Sequence, residues 1–135
     1  MFKMNCKLKM ADVYPVNKLT IALFLFFLII SLAVQSQVEI KLEDAAKHVG
    51  DSVNVCGKVS GIRFMENAKG QPTLINLGAA YPNQLLTVVI WEDLRKQYDK
   101  TPEELFKDKE MCITGKIELY RDKPQIVIRS KDQVQ

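Results

Sequence analysis

Val53-Asn54-Val55-Cys56-Gly57-Lys58-Val59 and Met111-Cys112-Ile113-Thr114-Gly115-Lys116-Ile117 are the two stretches on which the fold turns. In each, apolar residues alternate with others, the period-two signature of a strand with one buried face. The two align position by position, glycine on glycine and lysine on lysine. Nothing else in the chain repeats, so the echo points to two strands with similar jobs in one sheet, not to a duplicated domain. The first pattern runs on to about Phe64. Gly57 and Gly61 within it predict a bend or bulge, a device by which a strand turns a barrel corner.

Between the two stretches, residues 65–71 hold Glu66, Asn67, Lys69 and Gly70, a polar turn. Residues 72–77 read as a second strand. Residues 78–84, with Tyr81-Pro82-Asn83, read as a second turn, and the β-branched run at 85–91 as a third strand. In residues 92–106, Leu94, Tyr98, Leu105 and Phe106 form an apolar stripe. Thr101-Pro102-Glu103-Glu104 is a helix start, with Thr101 as N-cap, Pro102 at N1 and Glu104 at N3. A helical turn followed by a second short helix is expected there. A fourth strand at 111–119 follows. The chain then turns at Arg121-Asp122-Lys123-Pro124 into a fifth strand at 125–129.

Strand, strand, strand, helix, strand, strand is the order of the OB-fold, a five-stranded Greek-key barrel. The expected class is all-β with short helices, with a helical insertion between strands 3 and 4. In that topology the first and fourth strands are neighbours. The expected core is Val53, Val55, Val59, Leu86, Val88, Ile90, Met111, Ile113, Ile117, Ile126 and Ile128. Thr87, Val89 and Trp91 fall on the other face of the third strand. Upstream, Val38, Leu42, Ala45, Ala46 and Val49 are near helical spacing. They predict a short helix, or a strand leading into one, stopped by Gly50. His48 reads as a helix-end surface residue.

Residues 19–34 are almost entirely apolar, broken by Thr20 and Ser31, and residues 21–30 are apolar without a break. A spanning helix needs about 20 such residues. This run is shorter, is preceded by lysines and ends in small and polar residues, the layout of a secretory signal peptide. Val34-Gln35-Ser36 places cleavage before Gln37. The alternatives are an anchor retained in the membrane and a core helix, though a core helix would lack a polar face. Cys6 lies upstream of the apolar run, where a lipoprotein cysteine would not. A start at Met4 or Met10 would shorten a lead that is long for a signal peptide. The expected organisation is therefore a signal peptide at 1–36, a lead-in at 37–50, the barrel at 51–131 and a tail at 132–135. Export would deliver the chain to the periplasm or the medium, with no stable membrane insertion after cleavage.

That division changes the meaning of the charge. The 135 residues hold 19 Lys and Arg against 16 Asp and Glu, a formal charge of +3. Residues 1–36 contribute Lys3, Lys7, Lys9 and Lys18 against Asp12, which leaves 15 bases and 15 acids in the remaining 99 residues. A neutral domain lacks the long-range attraction that supplies most non-specific nucleic-acid affinity. A local patch from Arg121, Lys123, Arg129 and Lys131 survives that argument. Five prolines and six glycines exclude a collagenous or Pro/Gly-rich disordered chain, and one histidine excludes a multi-histidine metal site. No Gly-rich phosphate loop, metal-ligand spacing, cofactor motif or Ser/His/Asp set is visible, so no enzyme is expected.

Cleavage also removes Cys6 and leaves Cys56 and Cys112. Both have the parity of polar neighbours, so both fall on the outer face of strands expected to be adjacent. A disulfide between them is the favoured state in an oxidising compartment, and two free thiols are the alternative. No histidine partner is in sight for a catalytic thiol.

Several segments resemble one known group. They are Cys56-Gly57-Lys58-Val59, Gly70-Gln71-Pro72-Thr73, and Leu77 with Tyr81-Pro82-Asn83-Gln84. Thr87-Val88-Val89-Ile90-Trp91, Cys112-Ile113-Thr114-Gly115 and Tyr120-Arg121 before Pro124 complete the set. Together they resemble exported bacterial OB-fold proteins described as nucleic-acid or DNA binding. The module is also similar to OB domains attached to secreted nucleases, whose catalytic part is absent here. The resemblance covers about residues 50–131 and implies nucleic acid as the ligand.

OB-folds bind oligonucleotides or oligosaccharides on the face of strands two and three, flanked by the loops joining strands one to two and four to five. Here the first loop offers Arg63, Phe64 and Lys69, the sheet region Asn76, Tyr81, Thr87 and Trp91, and the last loop Tyr120, Arg121 and Lys123. Aromatics stack bases and cations meet phosphates, which is what single-strand binding requires. Packing roles compete for Phe64, Trp91 and Tyr81, and loop cations are commonly just solvated. The expected function is single-stranded nucleic-acid binding. The competing classes are a structural or protein-interaction domain with an envelope partner and, third, an oligosaccharide binder.

Overall fold

The two echoing stretches lie side by side. The computed structural model describes Asn17, Lys18 and residues 37–135, so the candidate signal peptide falls almost wholly outside the described residues. Among the described residues there are six strands: β1 Val38–Ile40, β2 Ser52–Phe64, β3 Thr73–Leu77, β4 Leu86–Ile90, β5 Glu110–Tyr120 and β6 Lys123–Ile128. β2 pairs antiparallel with β5 through its first half and with β3 through its second. β3 pairs antiparallel with β4, β4 parallel with β6, and β6 antiparallel with β5. The β2–β5 pairing closes the ring. Strands β2 to β6 thus form the expected all-β, five-stranded OB-like barrel.

The echo has a packing explanation. The inward positions are Val53, Val55, Gly57 and Val59 on β2, and Met111, Ile113, Gly115 and Ile117 on β5. Because the strands run antiparallel, Gly57 meets Met111 and Gly115 meets Val53. Each glycine makes room for a side chain from elsewhere. A Cβ on Gly57 would stand 2.7 Å from Leu42 Cδ2, and one on Gly115 would stand 2.5 Å from Ile126 Cγ2. Gly57 therefore serves close approach and not the predicted bend. The bulge lies between Val59 and Gly61. Ile126 is fully buried and cannot step aside, so Gly115→Ala is expected to cost about 2 kcal/mol in chemical denaturation. A loss below about 0.5 kcal/mol would contradict this packing.

All eleven residues expected in the core are buried, and Ile75, Leu77 and Leu94 join them. The third-strand alternation is only half right. Thr87 and Val89, placed on the open face, are 9% and 4% exposed, so β4 is buried on both sides.

The lead-in is a strand followed by a 3-10 turn at Leu42–Lys47. In a 3-10 turn, residues three apart share a face. Leu42 and Ala45 are therefore buried, while Ala46 and Val49, counted in the helical stripe, are exposed. His48 Nδ1 lies 3.0 Å from Asp51 Oδ2 at the end of this turn. β1 runs parallel beside the first half of β2, on the edge that β5 leaves open. The last residues are likewise tied in. Val134 bridges Ile113, and the Gln135 backbone both donates to and accepts from Cys112.

The helical insertion comprises α1, Glu92–Arg95, and α2, Pro102–Phe106. The Thr101–Glu104 capping box is present, and the Thr101 N–H and hydroxyl hold the Glu104 carboxyl below its usual range. Tyr98 meets Phe106 edge-on at 6.0 Å. Burial pushes the Tyr98 hydroxyl up. Arg95 reaches back to the end of β2 and the start of β3. Its guanidinium stacks 4.1 Å above the Phe64 ring, donates to Thr73 Oγ1 at 2.7 Å and pairs with Glu103 at 3.0 Å.

The fifth-strand boundary differs from expectation. Only Arg121 and Asp122 form the turn, at φ +48° and +62°, and Lys123 and Pro124 already belong to β6. Two positive φ values between antiparallel strands are the pattern of a type I′ hairpin. On the outer face of β2 and β5, Cys56 sits directly opposite Cys112, and the two are joined in a disulfide. The Cys112 N–H and C=O bond to Gln135, on the edge of β5 away from β2. Cys56 and Cys112 are thus a non-hydrogen-bonded pair, the type in which side chains come closest.

Candidate functional site

The register of β2, β3, β4, β6 and β5 writes the outer face as rows crossing the strands. One row runs Gly61, Asn76, Thr87, Gln125, Glu118. The next runs Arg63, Leu74, Val89, Val127. A polar row thus lies against a largely apolar one, flanked on β2 by an exposed arginine. Along β4 this face extends about 17 Å, the length of five extended residues.

Polar contacts order the first row. Gln84 Nε2 donates to Thr87 Oγ1 at 3.4 Å, and Thr87 Oγ1 donates to Asn76 Oδ1 at 3.2 Å. Thr87 is 9% exposed, so it serves as a link that orients Asn76, not as an open contact.

At one end of the face stands Trp91, 43% exposed, beside the β2–β3 loop that carries Lys69. Its ring lies against Gly70, where an added Cβ would be 2.9 Å away. At the other end are the β3–β4 loop and the β5–β6 hairpin. They present Tyr81 at 78% and Tyr120 at 57% exposure, with Arg121 and Lys123. The Arg121 guanidinium lies 5.4 Å from the Tyr120 ring centre.

The ten candidate residues therefore divide. Arg63, Asn76 and Thr87 share the outer face, Lys69 and Trp91 border one end, and Tyr81, Tyr120, Arg121 and Lys123 border the other. Phe64 does not join them. It pairs with Thr73 on the inward side and lies under Arg95. Lys131 also leaves the proposed basic patch, because its Nζ donates to Gln97 O at 3.0 Å and sits over Tyr98. It lines a separate open groove of about 600 Å³ with Tyr98, Leu105, Phe106, Met111 and Val134. Residues not foreseen at the face are Gly61, Gln84 and Gln125. Alternation from Val53 to Val59 would have turned Gly61 inward; the register shift between Val59 and Gly61 puts it on the outer face, and only the β4–β6 pairing brings Gln125 beside Thr87.

Among the described residues, no group of His, Cys, Asp and Glu side chains could hold a metal ion. No helix among them is long and apolar enough to cross a membrane.

No family model and no curated protein matches the chain. Among solved structures, the chain is similar to an OBody bound to hen egg-white lysozyme, with 18% identity and a TM-score of 0.42 over 70% of this chain and 90% of that one. It is also similar to a candidate aspartyl-tRNA synthetase from Leishmania major Friedlin, with 13% identity and a TM-score of 0.41 over 74% of this chain and 21% of that one.

Proposed function

We propose that the barrel is an exported, non-enzymatic module that binds single-stranded nucleic acid across the outer face of β2, β3 and β4. One observation carries this reading. Exposed aromatics stand at both ends of a polar and apolar face, together with cations that have no acid partner. Among the described residues, Arg63, Lys69, Arg121 and Lys123 take part in no salt bridge, whereas Arg95 pairs with Glu103 and Lys96 with Glu92. Trp91, Tyr81 and Tyr120 offer ring faces for bases, each stack being worth about 1–3 kcal/mol, and the cations meet phosphates. The apolar layout of residues 19–34 and the Cys56–Cys112 disulfide support export to an oxidising compartment.

The test is binding of labelled single-stranded DNA and RNA to the purified protein across a salt series. Residues 37–135 are neutral, so only local cations contribute. Each phosphate contact gives a slope of about −0.7 in log affinity against log salt. With at most four cations engaged, the expected slope is no steeper than about −3 by the same rule. Trp91→Ala should weaken binding about fivefold or more, since one lost stack is worth about 1–3 kcal/mol. Absence of binding at low salt would overturn the reading.

A protein-interaction role in the cell envelope has one observation in its favour. Val49, Leu85 and Leu119 are exposed at the same end of the barrel as Tyr120. A protein partner held there would stay bound as salt rises.

A further inference from the structure

Gly61 is the glycine of β2 that folding leaves unexplained. Glycine weakens a strand, and within one it marks a bulge, a tight bend or a place where a ligand approaches the backbone. Gly61 needs no left-handed conformation, unlike Gly50, Gly70 and Gly78, whose φ values are positive. It is not required by packing either. A Cβ on Gly57 or Gly115 would collide with Leu42 or Ile126, but one on Gly61 would meet nothing closer than Asn76 Nδ2 at 3.8 Å. The adjoining register shift does not demand glycine, because the bulge type that does places it at positive φ.

The surroundings say what approaches. Gly61 sits opposite Asn76 on the outer face. The Asn76 Oδ1 is already taken by the Thr87 hydroxyl, itself hydrogen-bonded to Gln84. The amide is therefore held with Nδ2, a pure donor, beside the bare backbone of Gly61. Arg63, exposed and two residues along the same face of β2, adds a cation. The one acid in the row, Glu118, lies at its far end, on β5. A site of donors, one positive charge and no side chain over its floor suits a slim anionic acceptor.

We propose that Gly61 is the floor of a phosphodiester subsite, with Asn76 Nδ2 and Arg63 as its donors. This rests on the nucleic-acid reading and adds where the strand's backbone touches the sheet. The predicted consequence is unusual for a glycine. Filling it should leave the fold intact and remove binding.

The test measures binding of labelled oligothymidylate to the purified protein and to three variants, with denaturant unfolding in parallel. Gly61→Val should keep its unfolding midpoint, or raise it, and lose at least about tenfold in affinity. Asn76→Asp keeps the acceptor for Thr87 and replaces the donor with a negative charge. It should lose a similar amount, and it decides the matter if Gly61→Val fails to fold. Arg63→Gln should flatten the salt slope by about 0.7. If the unaltered protein binds and Gly61→Val and Asn76→Asp bind as tightly, the subsite is overturned and the nucleic-acid reading stands. If binding falls in those two variants but Arg63→Gln leaves the slope unchanged, the group over Gly61 is a base edge, and the phosphodiester assignment is overturned. If the unaltered protein binds no oligothymidylate at low salt, both readings fall together.

Discussion

Replacing Cys56 and Cys112 with alanine is expected to lower stability by about 4 kcal/mol, the cost of releasing a loop of this length in the chain-entropy model. The two cysteines stand 56 positions apart and are joined across β2 and β5. They lie on the outer face, so their replacement opens no cavity in the core. The loss comes from the unfolded chain, which regains the freedom that the cross-link removed. Two signatures follow. Single and double replacements should cost nearly the same, because one cysteine alone already abolishes the link. The dependence of stability on denaturant should also steepen, since the released unfolded chain exposes more surface. Domains of this size have about 5–15 kcal/mol in total, so the reduced protein should be marginal. Urea unfolding of oxidised and reduced protein checks this. A difference below about 1 kcal/mol would show that the disulfide is incidental to the fold.

Replacing Arg95 with alanine is expected to cost about 3 kcal/mol, well beyond a typical surface substitution. The Thr73 hydroxyl is fully buried and loses the guanidinium donor that satisfies it. An orphaned buried polar group costs about 1–3 kcal/mol. Stacking on Phe64 contributes about 0.5–1 kcal/mol more. The Glu103 pair adds less than a fully buried pair would, because the side chain as a whole is about a third exposed, although the paired oxygen itself is covered. Arg95→Lys should recover only part of the loss, since an ammonium cannot stack on Phe64 while reaching both oxygens. Arg95→Met combined with Thr73→Val should be milder than Arg95→Met alone, because no hydroxyl is left unpaired. Denaturant unfolding of this set forms a double-mutant cycle. Additive losses from Arg95→Met and Thr73→Val would rule out the coupling.

The barrel was legible because its core pattern is local. Alternation along residues 53–59 and 111–117 identified the inward residues, and the matched glycines marked the pair of strands. The capping box at Thr101 and Glu104 was legible for the same reason, since its partners are three residues apart. The candidate site was legible only in part. Exposed Tyr81, Tyr120 and Trp91 stand where strand order puts them, but Phe64 does not, because the register shift between Val59 and Gly61 turns it inward, under an arginine 31 positions later. Thr87 looked open by parity and is not. Alternation gives the direction of a side chain and says nothing about what covers it.

The sequence by itself determined the apolar N-terminal run, the strand order, the inward residues and the common parity of Cys56 and Cys112. Each follows from spacing along one stretch of chain or from the order of stretches. Only the tertiary structure decided which glycines are needed for packing and that Gly61 is not. It also decided that Arg95 stacks on Phe64 and holds Thr73, and that Gln84, Thr87 and Asn76 form one hydrogen-bonded row. Those facts depend on contacts between strands and on which outer-face positions stay open, and they arise when the sheet curves and closes on itself.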